Sequence, residues 1–305
     1  MTLPPKTLSN PDACPACGST GIAQSLAIQD YEYRVHDGAK YATCSNCGTV
    51  FQHPMPTEKV LGSYYPAEYH SLSSGGFVQN LRHDIRFKTL KQRLTRPGAL
   101  LDYGCGNGSF LVRVAQAIPD RALIGYEIGD RPEKISLENG RITIVRGSLD
   151  DLMPVLPECA VVSMNHVIEH LPDPLDIVTR LVTKLVPGGW FEGQTPAAGS
   201  LEHRVFGTRW SGYHAPRHTV VFSPAGMRAF LVRAGLEEGA VGAGFNPAGI
   251  AVSLASAAGG AKLGGIQRHG AVWLVWLGLA TALSPIDYLS GRSGMLNFAG
   301  RKRGD

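Results

Sequence analysis

Leu100-Leu-Asp-Tyr-Gly-Cys-Gly-Asn-Gly-Ser-Phe-Leu111, LLDYGCGNGSFL, joins an apolar strand-like run to the start of a helix-like one through a turn with glycines at 104, 106 and 108. Glycines at that spacing let the chain turn tightly and bring bare backbone against a ligand. Working outward, the pattern predicts a strand at 99–103, a helix at 107–117, a strand at 122–127, a helix at 131–139, strands at 141–146 and 160–165, a helix at 174–185 and a strand at 189–194. Asp173-Pro174 and Ser223-Pro224 read as helix starts, a capping side chain followed by proline in the first turn. Gly235 closes the second of these helices, and strands near 236–244 and 294–301 follow. This βαβα rhythm predicts an α/β fold, a parallel sheet covered by helices on both faces.

The loop by itself suits a dinucleotide or S-adenosylmethionine. A dinucleotide fingerprint asks for Gly or Ala three places after Gly106, where this chain has Ser109, whereas Asp102 stands two places before Gly104. A carboxylate there fits a ligand that brings an ammonium and a sulfonium in place of a pyrophosphate. Glu127 ends the second strand, where a carboxylate accepts hydrogen bonds from ribose hydroxyls. Gly147-Ser148-Leu149-Asp150-Asp151 follows the third strand and would flank adenine. Asp102, Gly104, Cys105, Gly106, Asn107, Glu127, Ile128, Ser148 and Leu149 are therefore the candidate cofactor residues, with the adenine amino group meeting Asp150 or a backbone carbonyl.

Four of the six cysteines form two matched units, Cys14-Pro-Ala-Cys17-Gly18 and Cys44-Ser-Asn-Cys47-Gly48. Two such knuckles can converge four thiolates on one tetrahedral Zn²⁺, with no position left open for chemistry, so the expected site is structural.

The run MNHVIEHLPDPLDIVTRLVTKLVPGGWFEGQTP, Met164 to Pro196, resembles the fourth and fifth motifs of class I S-adenosylmethionine-dependent methyltransferases of the ubiquinone type. With the glycine loop the resemblance covers about 99–196. It implies a seven-stranded Rossmann-like sheet, and it places Asn165 and His166 beside the cofactor. The chain departs from the pattern at Ala160, where the strand commonly begins with Phe-Asp. The paired CxxC units followed by Tyr64-Tyr65-Pro66 and a later histidine-rich segment are similar to zinc-containing sugar C-methyltransferases and natural-product methyltransferases.

Methyl transfer needs the acceptor atom held in line with the sulfonium and any proton on it removed. Trp210-Ser-Gly-Tyr213-His214-Ala-Pro-Arg217-His218 follows the fifth strand on the side where α/β sheets bind ligands. His214 is the preferred base and His218 the alternate. Arg217 is suited to fix an anionic oxygen, unless it and His218 tie the loop to the sheet. Glu169-His170 reads either as a divalent-metal or acceptor site or as a helix start held by hydrogen bonds. Tyr64, Tyr65 and Tyr69 could cover the cofactor as a lid. Cys105 and Cys159 lack the setting of a nucleophile.

The 305 residues, 44% apolar and 18% charged with net charge +4, suit one large domain and a small module. The expected division is a zinc ribbon over 1–70, a linker and lid helix over 71–98, and the cofactor domain over 99–305. Within it, an apolar insertion spans about 246–293. Its run from Gly270 to Ser284 is shorter than a membrane-spanning helix needs, leaving burial over the core, a homodimer contact or an interfacial dip into a membrane. The first residues lack the marks of a secretory signal, predicting a cytoplasmic protein. The expected function is methylation of a small acceptor: a sugar, glycan precursor, lipid-like molecule or natural-product intermediate. Methylation of ribosomal or transfer RNA bases through the zinc module is one alternative, which the mild charge disfavours. A non-catalytic cofactor-binding or interaction protein is another.

Overall fold

A computed structural model describes residues 12–65, 77–129, 131–259 and 270–304. In chain order the elements are β1 (Ile22–Ile28), β2 (Ala39–Cys44), β3 (Val50–Gln52), α1 (Glu58–Ser63), α2 (Phe77–Lys91), β4 (Ala99–Tyr103), α3 (Ser109–Ala117), β5 (Leu123–Ile128), β6 (Glu133–Leu137), β7 (Ile142–Gly147), α4 (Leu149–Leu152) and β8 (Cys159–Asn165). They continue with α5 (Pro174–Thr183), β9 (Leu185–Pro196), α6 (Leu201–Phe206), β10 (Val220–Val221), α7 (Pro224–Arg233), β11 (Leu236–Ala243), α8 (Pro247–Ala257), α9 (Gly270–Leu289) and β12 (Met295–Lys302).

Eight strands form one sheet in the order β11-β12-β9-β8-β4-β5-β7-β6. The five central strands pair in parallel, and β12, β11 and β6 join antiparallel. Every residue of β4 is buried, as a strand covered on both faces must be. Leu101 and Val162 point into one apolar cluster while Leu100 and Val161 point into the other, the alternation that the pleat imposes.

The expected seven-stranded sheet is present, extended by a strand where the sequence reading put a helix. Residues 131–139 do not form that helix. Glu133–Leu137 pairs antiparallel with β7 as an edge strand. The physical reason is visible in EKISL: Ile135 and Leu137 alternate with polar residues, and both pack on the cluster that holds Ile142 and Ile144. In a helix, residues two apart do not share a face, so Ile135 and Leu137 could not both reach that cluster.

The amino-terminal module is tied into the larger domain. Its strands form the sheet β1-β2-β3-β10, in which Val220 and Val221 from the far side of the chain pair with Phe51 and Val50. Arg233 of α7 donates to the carbonyls of Pro15 and Ala16 at 3.1 and 2.9 Å.

Within the insertion, α8 and α9 pack against each other. Contrary to the shorter reading, α9 continues through Pro285 to Leu289, making 20 residues. That is long and apolar enough to cross a membrane by length and composition. A helix, α2, lies within the 71–98 stretch; Pro66, Tyr69 and the Ser71–Gly76 part of the linker lie outside the described residues.

Candidate functional site

The glycine loop is shaped by close neighbours. Gly104 has φ +79°, and a Cβ there would lie 2.3 Å from Val167 Cγ2; Gly108, also at +79°, would place one 2.7 Å from Ile144 Cδ1. Only glycine meets both demands. The amides of Gly104 and Cys105 donate to the Tyr126 carbonyl at 2.8 and 2.9 Å, pinning the loop across the end of β5. Asn107 Oδ1 accepts from the Ser109 amide at 3.1 Å as α3 begins. Glu127 faces this loop: one carboxylate oxygen accepts from the Gly106 amide at 2.7 Å and the other from Ile128 at 3.2 Å. Burial raises its pKa, opposed by those two amides. The next side chain, Ile128, is 79% exposed. Burial pushes the Cys105 thiol well up, so it stays protonated and inert.

Asp102 is buried and does not stand open beside the loop. Arg86 of α2 forms an ion pair with it and donates to Ser163 Oγ at 3.0 Å. With its amide oxygen turned toward this guanidinium, Asn165 accepts from Arg86 Nε at 2.9 Å. Ser163 in turn donates to Glu192 at 2.5 Å, and Arg93 pairs with the other oxygen of Glu192 at 2.5 Å. Arg86 of α2 and Arg93, two residues past its end, thus neutralise two buried carboxylates near the cofactor loop. The sequence showed that this helix is basic, but no spacing rule singles out Arg86.

Ser148 caps α4, accepting from the Asp151 amide and donating to its carboxylate at 2.6 Å. Leu149 packs partly buried against the core. The Asp150 carboxylate is paired with Arg180 at the surface.

The acceptor segment converges on residues from three other parts of the chain. His214 and His218 have ring centroids 4.9 Å apart, and His170 lies 4.5 Å from His218. His214 Nδ1 is 2.5 Å from Glu32 Oε2, a residue 182 positions earlier, in the loop between β1 and β2. His218 Nδ1 lies 2.8 Å from the Gly212 carbonyl, which fixes a proton on that nitrogen. Tyr65, placed by the sequence reading near the cofactor, has its hydroxyl 2.8 Å from His170 Nδ1.

Arg217 is fully buried, as is its partner Asp30, reached at 2.8 and 3.2 Å. Its guanidinium also lies over the Tyr33 ring, 4.4 Å from the centroid. This pairing holds the segment to the amino-terminal module. Glu169 is fully buried: one oxygen accepts from Thr195 at 3.0 Å, and the other has His166 Nδ1 at 3.5 Å and His218 Nε2 at 4.0 Å. Ligand atoms of Glu169, His170 and His218 all lie within 4.8 Å of one another, a set able to hold a cation or to relay a proton.

Burial lowers the pKa of all three histidines, His170 to about 4 and His214, where the Arg217 charge adds to the effect, to about 3. They are neutral near pH 7, but values this low make weak bases unless a carboxylate such as Glu32 beside His214 stabilises the protonated ring. Glu169 is held below the usual carboxylate range. Burial would raise it, but the His166 contact and the nearby His166 and His170 rings outweigh that. Asp30, Glu32, Tyr33 and Arg86 are the residues sequence reasoning missed. The first three lie in a loop without a motif, and only folding brings them to the histidines.

The four cysteine sulfurs form a second cluster, all within 4.8 Å of one another. Cys14 and Cys47 Sγ are 3.7 Å apart, and Cys17 and Cys44 Sγ 3.6 Å. The amides of Gly18 and Gly48 return to the carbonyls of Cys14 and Cys44 at 2.8 and 2.9 Å, closing the two knuckles.

Residues 78–238 match the family described as Methyltransferase domain. A trans-aconitate 2-methyltransferase of Methylobacterium radiotolerans is 30% identical over 105 residues, 34% of this chain and 40% of that protein. A ubiquinone biosynthesis O-methyltransferase of Xanthomonas euvesicatoria pv. vesicatoria is 29% identical over 168 residues, 50% of this chain and 69% of that protein. The chain spans 40 to 49% of the length of the trans-aconitate relatives it matches. Among solved structures, a SAM dependent methyltransferase from Archaeoglobus fulgidus is similar with a TM-score of 0.48 and 15% identity, over 73% of this chain and 94% of that one.

Proposed function

Since the chain belongs to the methyltransferase-domain family through residues 78–238, we propose that it methylates a proton-bearing atom of a small-molecule acceptor, with S-adenosylmethionine as donor and His214 as general base. The observation that carries this reading is the Glu32–His214 contact of 2.5 Å, a carboxylate on one ring nitrogen of a buried, neutral imidazole. Glu32 holds the proton on Nδ1 and leaves Nε2 as the basic atom, and it stabilises the imidazolium that forms when Nε2 takes the acceptor's proton.

The cofactor side fits the donor. At Gly104 and Gly108 the side chains of Val167 and Ile144 leave no room for a Cβ and so fix the turn of the loop, Glu127 offers a carboxylate there for ribose hydroxyls, and the exposed Ile128 offers an apolar surface to adenine. Arg86 is placed to meet a ligand carboxylate beside Asp102 and Asn165. Bound there, the sulfonium supplies an electrophilic methyl group. The protein's own part is to orient, to exclude water from the buried histidines and to take one proton.

The acceptor belongs to the sugar, glycan-precursor, lipid-like or natural-product class. The names of the relatives fit a small acceptor. His218 lies tilted beside His214, His170 lies edge-on to His218, and the Tyr65 hydroxyl is within hydrogen-bond distance of His170. The cysteine cluster holds a structural Zn²⁺: at about 2.3 Å per bond a tetrahedral ion separates its sulfurs by roughly 3.8 Å, near the 3.6 and 3.7 Å found here.

Replacing His214 by Ala tests the reading. Turnover should fall by roughly 10²- to 10⁴-fold, the range of general-base catalysis, with S-adenosylmethionine affinity unchanged by calorimetry. Turnover equal to the parent would remove His214 from the role.

A further inference from the structure

Helix α9 has an unusual surface. Of its 20 residues only Ala280, Ser284 and Asp287 are buried, and these face α8 and the domain; Trp273, Trp276 and Leu277 pack partly against Ile250, Ala251 and Leu254. The remaining face exposes Val272, Leu274, Val275, Leu279, Leu283, Ile286 and Leu289, from 44 to 81% each. It carries no charged side chain along its whole length. An apolar face this long is not stable facing water and marks a contact surface.

Two features say what covers it. The apolar surface extends beyond α9 to Phe245, whose ring is 6.4 Å from that of Tyr288, and to Leu201 and Val205 of α6, where the Leu201 amide donates to the Arg292 carbonyl at 2.8 Å. Arg204 and Arg292, both exposed, stand at that end. An apolar strip edged by arginines complements acyl chains beneath anionic headgroups. A second copy of the chain would instead bring arginine edges of like charge to the same strip. Crossing the bilayer is also disfavoured, because one side of α9 is packed along α8 and its end runs directly into β12 of the central sheet.

We propose that the α9 face docks on an anionic lipid surface, with the helix lying in the plane of the membrane. The attachment is mechanically close to the acceptor segment. Ser211 donates from its amide to Ser253 Oγ at 3.0 Å and from its hydroxyl to the Gly249 carbonyl at 2.9 Å, and Arg209 donates to the Ser256 carbonyl at 2.8 Å. A cavity of about 20 Å³ lies between α8 and this segment, lined by Val252, Ser256, Glu32 and His214. Docking therefore places α8, and behind it the segment carrying His214, one helix layer from the lipid surface.

Co-sedimentation of the full chain with vesicles tests this independently of any methyl transfer. Binding is expected to phosphatidylcholine vesicles containing phosphatidylglycerol, more weakly to phosphatidylcholine alone. Arg204→Ala or Arg292→Ala should each weaken binding to the anionic vesicles about fivefold and leave the neutral ones unaffected. Val275→Glu with Leu279→Glu should lower binding to both by about tenfold or more, with the thermal transition retained because both side chains are exposed. Should that double variant unfold, the arginine variants still decide. Failure to sediment with either vesicle overturns the proposal, as does a stable dimer in solution that the double glutamate variant dissolves, which would assign the face to a second copy.

Discussion

The cofactor loop and the acceptor segment are built in opposite ways. Between Leu100 and Glu127 a strand, a turn, a helix and a strand follow one another, and the partners of the loop, Tyr126 and Glu127, are about twenty residues away. The acceptor site has no such economy of sequence. His214 meets Glu32 across 182 positions, Arg217 meets Asp30 across 187, and His170 meets Tyr65 across 105. A local site survives damage elsewhere, while a site assembled from distant segments depends on the docking that assembles it.

The largest effect should come from breaking that docking. On the proposed zinc reading, chelation or Cys44→Ser should remove the fold of the small module and withdraw Asp30 from Arg217 and Glu32 from His214. Turnover is expected to fall at least as far as in His214→Ala, while calorimetry shows S-adenosylmethionine bound with its original affinity. Loss of cofactor binding in the same sample would mean the two regions are not separable, and a protein without stoichiometric zinc would remove the ion from the account.

A second effect follows from the buried rings. Because the folded pKa of His170 is lowered from 6.5 to about 4, the unfolded chain binds the extra proton between those values. Stability is then complete above pH 6.5 and declines as pH falls toward 4, by up to roughly 3 kcal/mol for this ring. Thermal unfolding followed against pH should show the decline, and His170→Gln should flatten it. A slope unchanged by the substitution would mean that His170 is not held neutral by burial.

The smaller effect is on the local side. Glu127→Ala should weaken S-adenosylmethionine binding by about ten- to a hundredfold, the worth of hydrogen bonds to a carboxylate, and leave the KM for the acceptor unchanged. An altered acceptor KM would blur the separation between the regions.

This contrast also explains what the sequence disclosed. The glycine loop, the alternation of strands and helices around it and the paired cysteines follow from short-range rules, since a turn needs glycine and a tetrahedral ion needs matched thiolates. Residues 131–139 escaped those rules because five residues of alternating character look alike in a short helix and an edge strand until Ile135 and Leu137 find their cluster. The length of α9 was obscured by Pro285, which the helix accommodates in its last turn and a half. The histidines of the acceptor segment were visible, but their partners Glu32, Asp30 and Tyr33 were not. No pattern within 29–38 announces a loop that will sit on residues 214–218, and the β3–β10 pairing that brings it there involves two residues on each strand.

Glu32→Gln tests the central claim most directly, because the amide keeps the shape of the side chain and removes its charge. The account predicts a lower kcat and a change in its pH profile, with S-adenosylmethionine affinity and thermal stability near those of the parent. A parental kcat with an unchanged pH profile would contradict it, showing that the small module supports the acceptor site without tuning His214.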